Sequence, residues 1–119
     1  GLTKWQPFCP ASQTATGYVL ASPGATFIAQ SNGTAISQAN VNKNAGFATG
    51  AGQTTGGGFS GFTLDAAQIG TTSTLPFRIV NLFSAYSPSG VNGTDNTTSY
   101  NMAVVTFNNQ RFKNNTTIA

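Results

Sequence analysis

The chain is predicted to fold as an all-β domain, on three observations. Helix formers are scarce: there is no Glu and only three Lys, while 14 Gly and 5 Pro punctuate the 119 residues. Thr, Val, Ile and Phe fill the stretches between those breaks, and such residues suit a pleated, half-buried surface. Two of these stretches, beginning at Leu75 and at Tyr100, alternate with a period of two. This length predicts one domain, with a modest core that buries about two-thirds of the unfolded surface.

Each segment has its own reason. Residues 1–15 are rich in Pro and polar side chains, with Trp5 and Phe8 as isolated aromatics; they read as an extended arm. A single β domain over residues 16–119 follows. Residues 17–21 (Gly-Tyr-Val-Leu-Ala) are predicted as a short strand, ended by a turn at Ser22-Pro23-Gly24. Residues 26–30 and 34–37 flank Ser31-Asn32-Gly33 and are predicted to pair as a hairpin, because Asn and Gly tolerate the positive φ of such turns. From residue 40 to 58 the chain is Gly-, Ala- and Thr-rich. Gly56-Gly57-Gly58 marks a flexible loop or a close backbone approach, and lacks the Gly-Lys-Ser/Thr of a phosphate loop.

Residues 59–64 are predicted as a strand. Asp65-Ala66-Ala67-Gln68 after it fits one helical turn, with Asp65 as N-cap and Gln68 answering three residues on. Residues 75–86 carry apolar side chains on both sides of the alternation and predict a largely buried strand, in which Arg78 needs an end position or a partner. Residues 100–107 match it, with Met102 and Val104 on one side and Ala103, Val105 and Phe107 on the other. The two are predicted to pair antiparallel around a polar loop, residues 87–99, which is long for a compact domain. Asn108-Asn109 predicts a turn, and residues 110–112 a short returning strand.

The same composition narrows the chemistry. Charged residues make up 6% of the chain, against roughly 25% in an ordinary soluble domain. With no His there is no imidazole base and no His-ligated metal. Asp65 and Asp95 are the two carboxylates, too few for a calcium cage or a two-metal centre. Cys9 is the single cysteine, which excludes an internal disulfide and a thiolate zinc site. A Ser or Thr nucleophile would have only Lys43 as an activating base, in a polar stretch. No enzyme activity and no cofactor are therefore expected.

Net charge is +3 and the pI about 9.4, which reflects missing acids rather than abundant bases. Lys4, Lys43 and Arg78 are scattered, and only Arg111 and Lys113 sit together. Nucleic-acid binding needs clustered phosphate contacts, so no nucleic-acid partner is expected. No run approaches the ~20 apolar residues of a membrane-spanning helix, so no membrane partner is expected. No basic region followed by an apolar stretch opens the chain, and Gly1 in place of Met points to a trimmed or processed N-terminus. Exposed sheet edges are normally guarded by charges or Pro. A β protein with so few guards is easiest to understand with its edges covered by partners. Exposed Trp5, Tyr86 and Tyr100 also leave open a carbohydrate-binding module.

Several segments together resemble the capsid decoration (cement) proteins of tailed bacteriophages. Ser31-Asn32-Gly33-Thr34-Ala35-Ile36-Ser37 is similar to their early hairpin, and Thr55-Gly56 through Phe59-Ser60-Gly61 and Leu64-Asp65 resemble the family likewise. Thr74-Leu75-Pro76-Phe77-Arg78-Ile79-Val80-Asn81-Leu82 is similar to the family's Thr-Leu-Pro-x-Arg-h-h-x-Leu strand, where h is hydrophobic. Val104-Val105-Thr106-Phe107-Asn108-Asn109-Gln110 resembles its closing pattern, although the His expected after the Asn pair is missing. The order is kept from about residue 17 to 112.

The resemblance implies a small β-barrel or jelly-roll-like sandwich with the extended N-terminal arm. It also implies a location on the outer surface of a virion capsid. There the protein would bridge neighbouring subunits of the major capsid protein and contact neighbouring copies of itself, as a dimer or trimer. The arm residues Lys4, Trp5 and Phe8, with Arg111 and Lys113, are the candidate contacts. A tail or fibre structural domain is a further alternative, also β-rich and low in charge.

Overall fold

A computed structural model describes residues 8–52, 60–85, 93–94, 97–110 and 113. Among the described residues the strands are β1 (Thr26–Gln30), β2 (Asn44–Ala48), β3 (Thr63–Gly70), β4 (Phe77–Leu82), β5 (Ser84–Ala85), β6 (Gly93–Thr94) and β7 (Met102–Phe107), with a 3₁₀ turn at Gln38–Asn40. The fold is all-β. Five strands form one sheet in the order β1-β7-β4-β2-β3, antiparallel at every ladder, while β5 and β6 pair separately.

The expected pairing of the two alternating stretches is the centre of this sheet. β4 lies antiparallel on β7, with Phe77 opposite Phe107 and Ile79 opposite Val105. The register then shifts, because Asn81 rather than Val80 faces Val104. Val80 is the extra residue of a β-bulge. Ile79 and Leu82, three positions apart, consequently both turn into the core, whereas Arg78, Val80 and Asn81 face outward. The strand is thus buried on one face only, not on both as its composition predicts. Arg78 reaches solvent and needs no buried partner. β7 alternates as expected, with Ala103 and Val105 buried and Met102 exposed. It begins at Met102 rather than Tyr100, since Tyr100 holds a left-handed backbone (φ 63°) that interrupts the extended run.

Elsewhere the structure corrects the sequence reading. Residues 17–21 form no strand; they run extended and exposed, although the turn after them is present, with the Ala25 N–H donating to the Ser22 carbonyl at 3.2 Å. β1 forms, but residues 34–37 do not pair back on it; its partner is β7. A side chain stands in for the missing strand. Asn101 donates from Nδ2 to the Ile36 carbonyl (2.8 Å) and accepts at Oδ1 from the Ile36 N–H (2.9 Å) and from Ser31 Oγ (3.0 Å). The Gly-, Ala- and Thr-rich segment, where no strand is predicted, contains β2, which pairs with both β3 and β4. Gly56-Gly57-Gly58 lies outside the described residues. A close backbone approach occurs between Gly50 and Gly61, where a Cβ on either would run into a carbonyl group of the facing segment.

Asp65 to Gln68 is part of β3, not a helical turn. The local capping chemistry nevertheless forms. Asp65 accepts from the Ala67 N–H (3.0 Å) and from Gln68 Nε2 (2.9 Å), and Asn32 Nδ2 adds a third donor at 3.0 Å. These bonds close an excursion of β3, in which the four residues between Asp65 and Gly70 lie opposite Ala45 alone. The Asn108-Asn109 bend clasps the turn before β4, with Asn108 Nδ2 donating to the Ser73 and Leu75 carbonyls and Asn109 Nδ2 to that of Thr74. Gln110 is not in a strand, and residues 111–112 lie outside the described residues.

The core is Ile36, Ala45, Leu64, Ile79, Leu82, Ala103 and Val105. Five strands of alternating direction leave the outermost two, β1 and β3, running parallel. They touch at one parallel bridge between Ser31 and Leu64, backed by the Asn32 N–H to the Leu64 carbonyl (2.9 Å). No further ladder joins them among the described residues.

Candidate interaction surface

Among the described residues, no group of His, Cys, Asp or Glu side chains could hold a metal ion. Asp65 has both carboxylate oxygens engaged in the β3 excursion. Asn44 Oδ1 is the one buried side-chain acceptor without a partner among the described residues, and a single acceptor makes no site. What the fold does assemble is apolar.

A row of aromatic rings crosses the whole sheet. Phe27 meets Phe107 edge-on at 5.0 Å, and Phe107 stacks on Phe77 at 6.0 Å. Phe77 meets Phe47 at 4.7 Å, and Phe47 meets Phe62 at 5.7 Å, both edge-on. The rings follow the strand order, one from each of β1, β7, β4 and β2, and the last from the residue preceding β3. Antiparallel geometry explains the alignment. Phe27, Phe77 and Phe62 stand at the starts of strands running one way, and Phe47 and Phe107 at or near the ends of strands running the other. All five therefore collect at one end of the sheet. Edge-to-face pairs of this kind contribute about 0.5–1.5 kcal/mol each beyond their buried area.

The row is incompletely covered. Phe47 is 45% and Phe62 54% exposed, and the rings line a cleft of about 360 Å³ together with Val105 and Leu64. Tyr18, Val19 and Leu20 border the cleft from the extended segment ahead of β1. That segment is tied at its C-terminal end, where Gln110 Nε2 donates to the Ala21 carbonyl at 2.7 Å. Upstream of the tie its side chains face solvent: Tyr18 is 102%, Val19 88% and Leu20 56% exposed. No charged residue occurs between Phe8 and Ala25, and none lines the cleft.

The sequence-based contact residues are only partly placed by the structure. Lys4, Trp5 and Arg111 lie outside the described residues. Phe8 is half-buried. Lys113 is also half-buried and donates from Nζ to the Phe107 carbonyl, at the end of β7. Phe8 and Lys113 are therefore not shown to share a surface. The aromatic row went unrecognised in the sequence, where each Phe reads as an ordinary apolar position of its own strand. Its signal is that the five rings sit at strand ends of matching polarity, which becomes legible only once strand directions are known. Comparison with known proteins returned no matching family model, no matching curated protein and no matching solved structure.

Proposed function

We propose that the protein is a non-enzymatic decoration protein of a phage head. It lies on the outer surface of the capsid and bridges subunits of the major capsid protein. The observation that carries this reading is the placement of two of its resembling segments. Residues 74–82 contain β4 and residues 104–110 the last four residues of β7, the paired strands at the centre of the sheet, and the Asn108-Asn109 clasp joins the tail of β7 to the head of β4. The low charge and the exposed apolar segment ahead of β1 agree with a protein whose surface is meant to be covered. Many weak contacts repeated over a lattice add up without strong affinity at any one of them.

The cleft does not supply the chemistry of a carbohydrate site, and exposed Tyr100 lies outside its lining. Sugar recognition needs several convergent polar groups beside its aromatic platform, whereas this lining is almost wholly hydrocarbon. Added to expanded, empty phage heads, the protein should saturate at a fixed ratio to the major capsid protein and raise the heads' melting temperature. Deleting residues 1–8, which removes Lys4, Trp5 and Phe8, should weaken that binding while the isolated domain keeps its fold. No binding to heads, together with a positive glycan array, would overturn the proposal.

A further inference from the structure

We infer that residues 17–20 form a strap that closes over the aromatic row of its own chain, hinged at Ala21. Two contacts make the hinge. The Ala21 carbonyl accepts from Gln110 Nε2 at 2.7 Å, and the turn at residues 22–25 leads the chain on into β1. Gln110 follows the last residue of β7 by three positions, so the strap is pinned at the end of the sheet where the five rings collect. Tyr18, Val19 and Leu20 accordingly border the same cleft that Phe47 and Phe62 line.

The strap is aimed at the rings but not seated on them. Tyr18 and Val19 keep nearly all of their surface in solvent, and the rings of Phe47 and Phe62 stand about half open. Nothing holds the strap in that position. Residues 14–20 take part in no hydrogen bond among the described residues, and a Cβ on Gly17 would meet no atom within 4 Å. Inward movement therefore breaks no bond, while it takes hydrocarbon out of water on both sides of the contact. Tyr18 can lay its ring on the row and leave its hydroxyl at the wet rim.

Connectivity selects this occupant over a free molecule of similar chemistry. The strap is joined to the sheet through a short turn, which holds it at a high effective concentration beside the cleft. The lining is nearly all hydrocarbon, so it suits uncharged apolar side chains and gives a polar ligand no orienting bonds. Its volume of about 360 Å³ admits side chains and not a second domain. Closed, the strap shields Phe47 and Phe62. Open, it offers its own side chains and both rings to solvent together. This device goes beyond the proposed head binding and holds or fails without it.

NMR on the full chain tests the strap. Cross-relaxation should link the Tyr18 ring or the Val19 methyls to the rings of Phe47 and Phe62. In a mixture of isotope-labelled and unlabelled chains, those contacts should stay within one chain. With a soluble paramagnetic probe, the Phe62 ring protons should relax at least about threefold faster in a Tyr18→Ser, Val19→Ser variant than in wild type, because most wild-type chains are closed. Both substitutions fall at exposed positions, and Val19→Ser alone replaces the pair if amide signals shift beyond the strap. Gln110→Ala, which releases the hinge, should also speed the relaxation. Missing contacts, contacts that cross between chains, or equal relaxation in wild type and the strap variant would overturn the inference. Wild-type relaxation in Gln110→Ala would overturn the hinge at Ala21.

Discussion

Asn101 shows how much one side chain can hold together. It is buried with Ser31, and its amide satisfies both backbone groups of Ile36, the role a neighbouring strand would otherwise play. Replacing it with Ala strands a buried N–H, a carbonyl and a hydroxyl. At about 1–3 kcal/mol per unsatisfied group, partly relieved by water, Asn101→Ala should cost about 2–4 kcal/mol in urea unfolding. A loss below 1 kcal/mol would mean that water replaces the amide fully. This role was not legible in the sequence, because the partners lie 65 and 70 positions away. Asp65 was half legible. Its local bonds to residues 67 and 68 are those expected of a cap, but a cap does not decide the backbone it serves. Pairing of β3 with β2 made that choice.

At the scale of elements, propensity and pairing part company. β4 and β7 were legible because alternation and β-branched residues agree with their central position. β2 was not: Asn-Ala-Gly-Phe-Ala has poor strand propensity and is extended because it is held between two neighbours. Residues 17–21 are the converse, good strand formers with no strand partner among the described residues. The bulge at Val80 was also hidden, since a period-two pattern carries no mark of one extra residue. A one-residue slip exchanges the two faces of a strand. Deleting Val80, the extra residue, leaves Ile79 and Leu82 two positions apart and on one face, so Leu82 should stay in the core, whereas Leu82→Ala should lower stability by at least about 2 kcal/mol. Val80→Thr, at an outward-facing position, should stay within about 0.5 kcal/mol of wild type. Equal losses from Leu82→Ala and from deleting Val80, measured by urea denaturation, would show that the deletion does not preserve the register.

Over the whole molecule, the scarcity of charge has a measurable consequence. Neither the cleft nor residues 17–21 carry charge, so any association through them would bury hydrocarbon rather than pair ions. Raising NaCl from about 0.05 to 0.5 M, which shrinks the Debye length several-fold, should change the closing equilibrium of the strap by less than about threefold. Sulfate should favour closure. A steep decline with NaCl, followed by the relaxation of the Phe62 ring, would place charged residues in the contact instead.

The single bridge between Ser31 and Leu64 reflects a matter of parity. A ring of strands can alternate in direction all the way round only if their number is even, and this sheet has five. Its first and last strands therefore run parallel where they touch. A sixth strand laid in that seam against the direction of β1 would be antiparallel to both its neighbours. The polarity of any guest strand is thus written into the odd count of its hosts.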